Sequence, residues 1–397
     1  MRPSTPISKP RPSAWSPRPA RDAWTRFRVL RPSGAISFSE TTTHRQTHTT
    51  LPVMARTVCL AMLSFFVLVG CSRTPASEQK QVVLYSSVDE EFLRQIVAAF
   101  EQQTGVRVLV VGDNEAVKTT GLVQRVLAER DRPQADVWWS SEPFGTIRLS
   151  REGALRAYRS QSAEESIEGG WPSHLKADDW YGFALRFRVL GYSVERLPQP
   201  PHAPGEMTSP AFRGRIGMAR PQFGTTRGHM GVLLHAWGPE RFRAWLEAMR
   251  DNGLRLYDGN ASAVRGVRQG EIDVCMTDTD DVWSAQRNGW RIEAAHEPAE
   301  PDDGADFPST GPIAVPNTLA LVQGGPNPEL GRQLIDFLLS EQVERLLAES
   351  DSHNVPVRPS LQREFARWAP PSWRPLDYQA IESKIEEALS ICDEVLK

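Results

Sequence analysis

Four short runs of small polar residues stand where apolar segments give way to amphipathic ones. They are Ser86-Ser87 before Asp89, Gly224-Thr225-Thr226 before Gly228, Gly259-Asn260-Ala261-Ser262, and Thr277-Asp278-Thr279. The first turn of a helix leaves backbone N–H groups unpaired and carries a partial positive charge, so each run offers a place for an anion. Ser, Thr, Asn and Asp are also ordinary N-caps, and any single run is explained by capping alone. The set says more, because Gly-Thr-Thr and Gly-Asn-Ala-Ser join backbone freedom to hydroxyl or amide donors at similar topological places. The candidate ligand-binding residues are therefore Ser86, Ser87, Thr225, Thr226, Asn260, Ser262, Thr277 and Asp278.

Carboxylates extend the set. Asp280 and Asp281 follow the last run directly. Such a pair can ligate a hard cation through oxygen, or meet an ammonium group while helix N-termini meet a phosphate or phosphonate. Asp280 joins the ligand-binding candidates, and Asp280 with Asp281 is the candidate metal pair. The competing role is that Asp278 or Asp280 caps a helix beginning near Val282. Glu115, opening a helix that carries Lys118 and Thr119, and Glu142, after an apolar strand, are further cleft candidates. Acidic residues are common in first helical turns for electrostatic reasons alone. Trp138, Trp139 and Trp180 are candidates for the cleft wall, and Trp237, Trp245 and Trp290 for helix packing. No Gly-x-Ser-x-Gly or His-Glu-x-x-His run occurs, and no Cys/His spacing suits zinc. The residues speak for binding rather than catalysis, with a secreted carboxylate-based hydrolase as the enzymatic alternative.

Alternating elements must position these residues. An apolar strand at 82–85 precedes a helix at 90–103, with Phe92, Ile96, Val97 and Phe100 at helical spacing and Gly105 as its stop. A strand at 106–111, a helix at 116–129 and a strand at 135–139 complete a β-α-β-α-β pattern, that of a sheet wound with helices. A second set starts near Ile216, with helices at 226–237 and 239–252, a strand at 254–257, a helix at 261–269 and a strand at 273–277. The chain then returns through 313–322 and an amphipathic helix at 328–339. In wound α/β folds the carboxyl ends of strands face the crevice where ligands bind, so the polar runs are expected to converge there.

The N-terminus follows other rules. Met54-Ala55-Arg56, an apolar run from Val58 to Val69, and Gly70-Cys71 form a secretory signal too short for a transmembrane helix. Leu68-Val69-Gly70-Cys71 resembles the bacterial lipobox, which implies cleavage before Cys71 and its lipidation, with 71–80 as a tether. Residues 1–53 are rich in Arg, Pro, Ser and Thr and lack any lasting apolar period; they are expected to be a non-native or disordered extension, with Met54 the true start. They hold nine Lys/Arg against two acids, so the chain's net charge of −3 becomes about −10 without them. That balance argues against a nucleic-acid partner. Beyond Cys71 only Cys275 and Cys392 remain. They either pair in an oxidising compartment or stay as buried thiols, and the apolar surroundings of Cys275 favour the second.

The chain is similar, in order, to the extracellular solute-binding proteins grouped with the periplasmic ferric-iron-binding family. The likeness rests on Leu84-Tyr85-Ser86-Ser87-Val88-Asp89-Glu90, Glu115-Ala116-Val117-Lys118-Thr119-Thr120-Gly121-Leu122, and Ala135-Asp136-Val137-Trp138-Trp139 with Glu142. It continues with Phe212-Arg213-Gly214-Arg215-Ile216, Phe223-Gly224-Thr225-Thr226, Asp258-Gly259-Asn260-Ala261, Thr277-Asp278-Thr279-Asp280-Asp281, Val315-Pro316-Asn317-Thr318 and Ile335-Asp336-Phe337-Leu338-Leu339-Ser340. It spans 82–359. The resemblance implies an α/β, two-lobed periplasmic-binding-protein fold of type II, each lobe a wound sheet flanked by helices, with the ligand cleft between. Lobe 1 is expected at 81–187 and 283–350, lobe 2 at 188–282, and a helical segment at 351–397 packing on the lobes. It further implies a monomeric, non-catalytic subunit without a cofactor, handing its ligand to an ABC permease and ATPase; the signal and lipobox add that it is expected to be exported and lipid-anchored. Iron-binding members hold Fe³⁺ on two adjacent tyrosines after the strand that is here 273–277. Asp280-Asp281 occupy that place, and none of the six tyrosines are adjacent. Iron(III) as cargo and a phosphonate, phosphorylated sugar or polyamine both stay open, as does a sensing lipoprotein without a permease.

Overall fold

The computed structural model describes residues 79–113, 119–165, 167–300, 302 and 304–397. The signal-like segment, Cys71 and Glu115 lie outside the described residues. The first half runs β1 (Gln81–Ser86), α1 (Glu90–Thr104), β2 (Arg107–Gly112), α2 (Thr120–Ala128), β3 (Val137–Ser140), α3 (Pro143–Arg151), β4 (Leu155–Arg156), α4 (Gln161–Glu164) and β5 (Tyr181–Ser193). The second runs β6 (Ile216–Ala219), α5 (Gly224–Asp251), β7 (Arg255–Tyr257), α6 (Asn260–Gln269), β8 (Val274–Asp278), α7 (Thr279–Arg287) and β9 (Ile292–Ala295). The chain closes with β10 (Ala314–Val322), α8 (Pro328–Leu338), α9 (Glu341–Glu349), α10 (Pro359–Glu364) and α11 (Tyr378–Val395).

Local chemistry accounts for the main boundaries. Helix α1 begins with Glu90 and Glu91 in its first turn and ends at Gly105, whose φ of 68° lets its N–H close on Glu101 O. Helix α5 breaks at Gly238 (φ 76°), after which Pro239 starts the second half, so the two helices expected from the sequence are present end to end.

Two β-rich halves share one strand. β1 pairs in parallel with β2 and β3, and β10 runs antiparallel between β3 and β5. β5 pairs with β10 up to Phe187 and, from Arg188 onward, with β8 and β9. β6 then lies parallel between β7 and β8. β5 therefore crosses from the first lobe to the second, and the chain returns through 296–313 to β10. The sequence pattern alone does not mark β5 as a strand.

Each lobe has its own core. Leu84, Val137, Trp138, Phe183, Leu319 and Leu334 belong to the first. In the second lobe, Leu233, Trp245 and Met276 pack together, while Val264, Cys275 and Val282 form a separate cluster. Each fully buried Leu or Val side chain contributes roughly 1.5–3 kcal/mol of burial free energy. Helix α11 enters both cores, with Ile381 and Ile385 in the first and Ile391 and Cys392 in the second. Cys275 and Cys392 are buried free thiols. No helix of the described residues is long and apolar enough to cross a membrane.

Candidate functional site

The end of β8 builds the site. Asp278, its last residue, opens α7 and is 3 % exposed. Its Oδ1 accepts from Arg188 Nη1 at 2.8 Å. Its Oδ2 accepts from Thr225 Oγ1 at 2.7 Å, Asn260 Nδ2 at 3.1 Å and Arg186 Nε at 3.2 Å. Three of the polar runs read from the sequence thus meet on one carboxylate. Burial alone would raise the Asp278 carboxyl pKa; the charges of Arg188 and Arg186 and the Thr225 hydroxyl reverse that and hold it below its ordinary value.

The two arginines come from the crossover strand. Arg186 and Arg188 are two apart on β5 and so share a face of it. Arg188 is sealed inside, with Nε donating to His229 Nδ1 at 3.1 Å and Nη1 also reaching Thr225 Oγ1 at 3.0 Å. Burial and the Arg188 charge push the His229 pKa well down, which keeps the ring neutral and able to accept. Arg186 is 7 % exposed and lines a cavity of about 390 Å³. Burial opposes its charge, but the carboxylates of Asp280 and Asp278 outweigh that and raise its pKa.

Both lobes wall this cavity. Asp89, Ser141 and Asn317 come from the first lobe; Arg220, Thr225, Asp258, Asn260, Ser262, Arg265, Asp278, Asp280 and Asp281 come from the second. Ser352 and Asn354, beyond α9, also line it. The volume is that of a small-solute pocket. Helix α6 presents its N-terminal residues Asn260, Ala261 and Ser262 to the cavity, and α5 presents Gly224 and Thr225.

Some candidates are placed elsewhere. Glu142 does not line the cavity: it caps α3, accepting from Phe144 N at 2.7 Å and Gly145 N at 2.9 Å. Burial raises its pKa, with the Gly145 N–H opposing. Ser86 Oγ accepts from Val88 N and closes the turn after β1. Ser87 Oγ accepts from Ser141 N at 3.0 Å, so it orients a cleft residue without lining the cleft. Thr226 Oγ1 donates to Asn260 Oδ1 at 3.3 Å from behind the wall. Thr277 Oγ1 donates to Asp281 Oδ2 at 2.9 Å. Trp138, Trp139 and Trp180, candidates for either wall or core, are in the core: Trp138 Nε1 donates to Thr146 Oγ1, Trp139 Nε1 to Asn317 Oδ1, and Trp180 is 3 % exposed.

Asp278, Asp280 and Asp281 place carboxylate oxygens within 4.8 Å of one another. Geometrically they are a candidate cation group, but their commitments weaken it. Asp278 already accepts from four side chains. Asp281 accepts from Thr277 Oγ1 and Asp278 N, and burial with the nearby Asp280 and Asp278 charges pushes its pKa well up, toward the neutral acid. Asp280 lies 3.6 Å from Arg186 Nε. None of the tyrosines among the described residues lines the cavity.

The residues that sequence reasoning missed are mainly Arg186, Arg188, Arg220 and Arg265. A signal was available for two of them: Leu185-Arg186-Phe187-Arg188-Val189 sets arginines at alternate positions inside an apolar run, where charge needs a partner.

Comparison with known proteins adds a lineage. The family described as bacterial extracellular solute-binding protein matches residues 95–373. Iron uptake protein A1 of Synechocystis sp. is 25% identical over 318 residues, covering 74% of this chain and 84% of that protein. A putative 2-aminoethylphosphonate-binding periplasmic protein of Salmonella typhimurium is 24% identical over 314 residues, covering 75% and 84%. The solved apo ferric ion-binding protein A of Pasteurella haemolytica superposes with a TM-score of 0.69 at 19% identity, covering 80% of this chain and 98% of that one. That likeness establishes the two-lobed fold.

Proposed function

The chain belongs to the bacterial extracellular solute-binding proteins, and on that premise we propose that it is the solute-capturing subunit of an ABC importer, tethered to a membrane through a lipid on Cys71. The observation that carries this reading is a cavity walled by both lobes, with Arg186 of the connecting strand in its lining. Solute binding shifts an open–closed equilibrium about β5, and the closed form docks on the permease. No covalent step is required of any residue.

Thermal denaturation tests the capture step. A captured solute at a hundredfold excess over its Kd stabilises the protein by about 2.7 kcal/mol, a shift of several degrees. The panel is iron(III), 2-aminoethylphosphonate, sugar phosphates and polyamines; a flat response to all of them overturns the reading. Fractionation tests the anchor, since Cys71→Ala should move the protein from membrane to soluble fraction. An iron(III) cargo is the second reading, supported by the grouping of Asp278, Asp280 and Asp281 and by a relative named for iron uptake.

A further inference from the structure

We propose that the captured solute carries an oxyanion group (phosphate, phosphonate or carboxylate) and that this group seats on the Nη1 and Nη2 atoms of Arg186. The inference rests on the reading of the cleft as a solute site and names the chemistry of what enters it.

Arg186 is a buried cation whose outer edge the fold leaves without a partner among the described residues. Its hydrogen bond to Asp278 is made through Nε, and the same atom faces Asp280. Nη1 and Nη2 donate to no described residue, yet neither is among the sealed, unpartnered polar atoms, whereas Arg188 Nη2 is. Those two nitrogens are therefore open to the cavity that Arg186 lines. A guanidinium fixed through Nε presents its other edge as two parallel N–H donors, the geometry that matches two oxygens of a carboxylate or phosphoryl group.

The surroundings suit the same occupant. Helix α6 ends at the cavity with its N-terminus, where unpaired N–H groups and the helix dipole favour an anion. Asn317 and Ser141 add neutral polar groups from the opposite lobe. Arg220 and Arg265 bring two more guanidiniums to the lining, paired with Asp258 and with Ser262 Oγ respectively. A bare ferric ion would have three arginines in its cavity and no tyrosine among the described residues. The acidic residues of the wall, Asp89, Asp258, Asp278, Asp280 and Asp281, limit how much net negative charge can enter. That favours an oxyanion borne on a molecule with a compensating ammonium over free phosphate.

Calorimetric titration of the full chain decides it. The probes are inorganic phosphate, 2-aminoethylphosphonate, citrate, spermidine, and iron(III) as its nitrilotriacetate chelate with metal-free nitrilotriacetate as control. The expected result is one-to-one binding of an oxyanion-bearing probe, phosphonate above phosphate, weakened at least about 30-fold by Arg186→Lys, which keeps the charge but loses the two-pronged donor. Binding of spermidine alone, or of iron with an affinity that Arg186→Lys leaves within about threefold, overturns the inference and leaves solute capture standing. Silence from every probe overturns both. Should Arg186→Lys not fold, competition in the unaltered chain answers instead: excess inorganic phosphate must displace the bound probe, and failure to do so contradicts the assignment.

Discussion

Two buried arginine–carboxylate clusters, one in the cleft and one beneath α9, use the same residue types for opposite ends. Arg358 and Glu344, 3 % and 1 % exposed, form a closed knot in the first lobe. Arg358 Nη1 donates to Glu344, Nη2 donates to Leu339 O and Ser162 O, and the guanidinium lies over the Trp171 ring. Both terminal nitrogens serve the fold. Arg186 and Arg188 grip Asp278 just as deeply, but Arg186 offers its terminal nitrogens to a cavity instead of to the protein. Burial of an arginine therefore says little by itself about its role. What separates a structural guanidinium from a binding one is whether its outer edge ends on protein or on open space.

The largest effect should come from breaking the closed knot. Glu344→Ala takes the Glu344 carboxylate away from the buried Arg358 guanidinium, and is expected to cost about 3–5 kcal/mol in urea unfolding while solute affinity of the folded protein is unchanged. Asp278→Asn attacks the cleft cluster at its shared centre. It should cost about 3 kcal/mol of stability and also weaken solute binding, because Arg186 loses the partner that fixes its plane. Loss of stability without loss of affinity would make Asp278 purely structural. Arg186→Lys should move the other way: affinity falls by about 2 kcal/mol, and the melting temperature of the free protein changes by no more than a few degrees.

The smallest effect sharpens the comparison with a carboxylate that has no arginine bonded to it. Burial pushes the Glu297 pKa up to about 7, although Thr310 N, Ser309 Oγ and Thr310 Oγ1 donate to it. Asp278, with its two arginines, is shifted the opposite way. The folded state thus holds the Glu297 proton at pH values where the unfolded chain has released it. Stability from this group is present below the ordinary glutamate range and is lost as pH rises through about 7. Glu297→Gln should remove that slope, at most about 1.4 kcal/mol per pH unit, from unfolding measured between pH 5 and 7.

The polar runs were legible because helix starts have a local code: small residues, glycine, then an amphipathic period. Thr225, Asn260 and Asp278 do converge, and Asp280, Asp281 and Ser262 line the same cavity. The code does not tell a cap that faces ligand from one that serves only local structure, so it points to Glu142 and Ser86 as readily as to Asn260. Nor does it reveal β5. A strand that passes between two lobes is buried along nearly all its length, so it lacks the alternation that marks a half-solvated strand. Arg186 and Arg188 went unread with it. Their partner, Asp278, lies about ninety residues away, and only the fold brings the charges together.

The most direct measurement is the crystal structure of the protein loaded with the solute that calorimetry selects. The account predicts two solute oxygens about 3 Å from Arg186 Nη1 and Nη2, with Asp278 still held by Arg188, Thr225 and Asn260. A metal ion bound between Asp280 and Asp281, with the Arg186 nitrogens still facing open solvent, would contradict it.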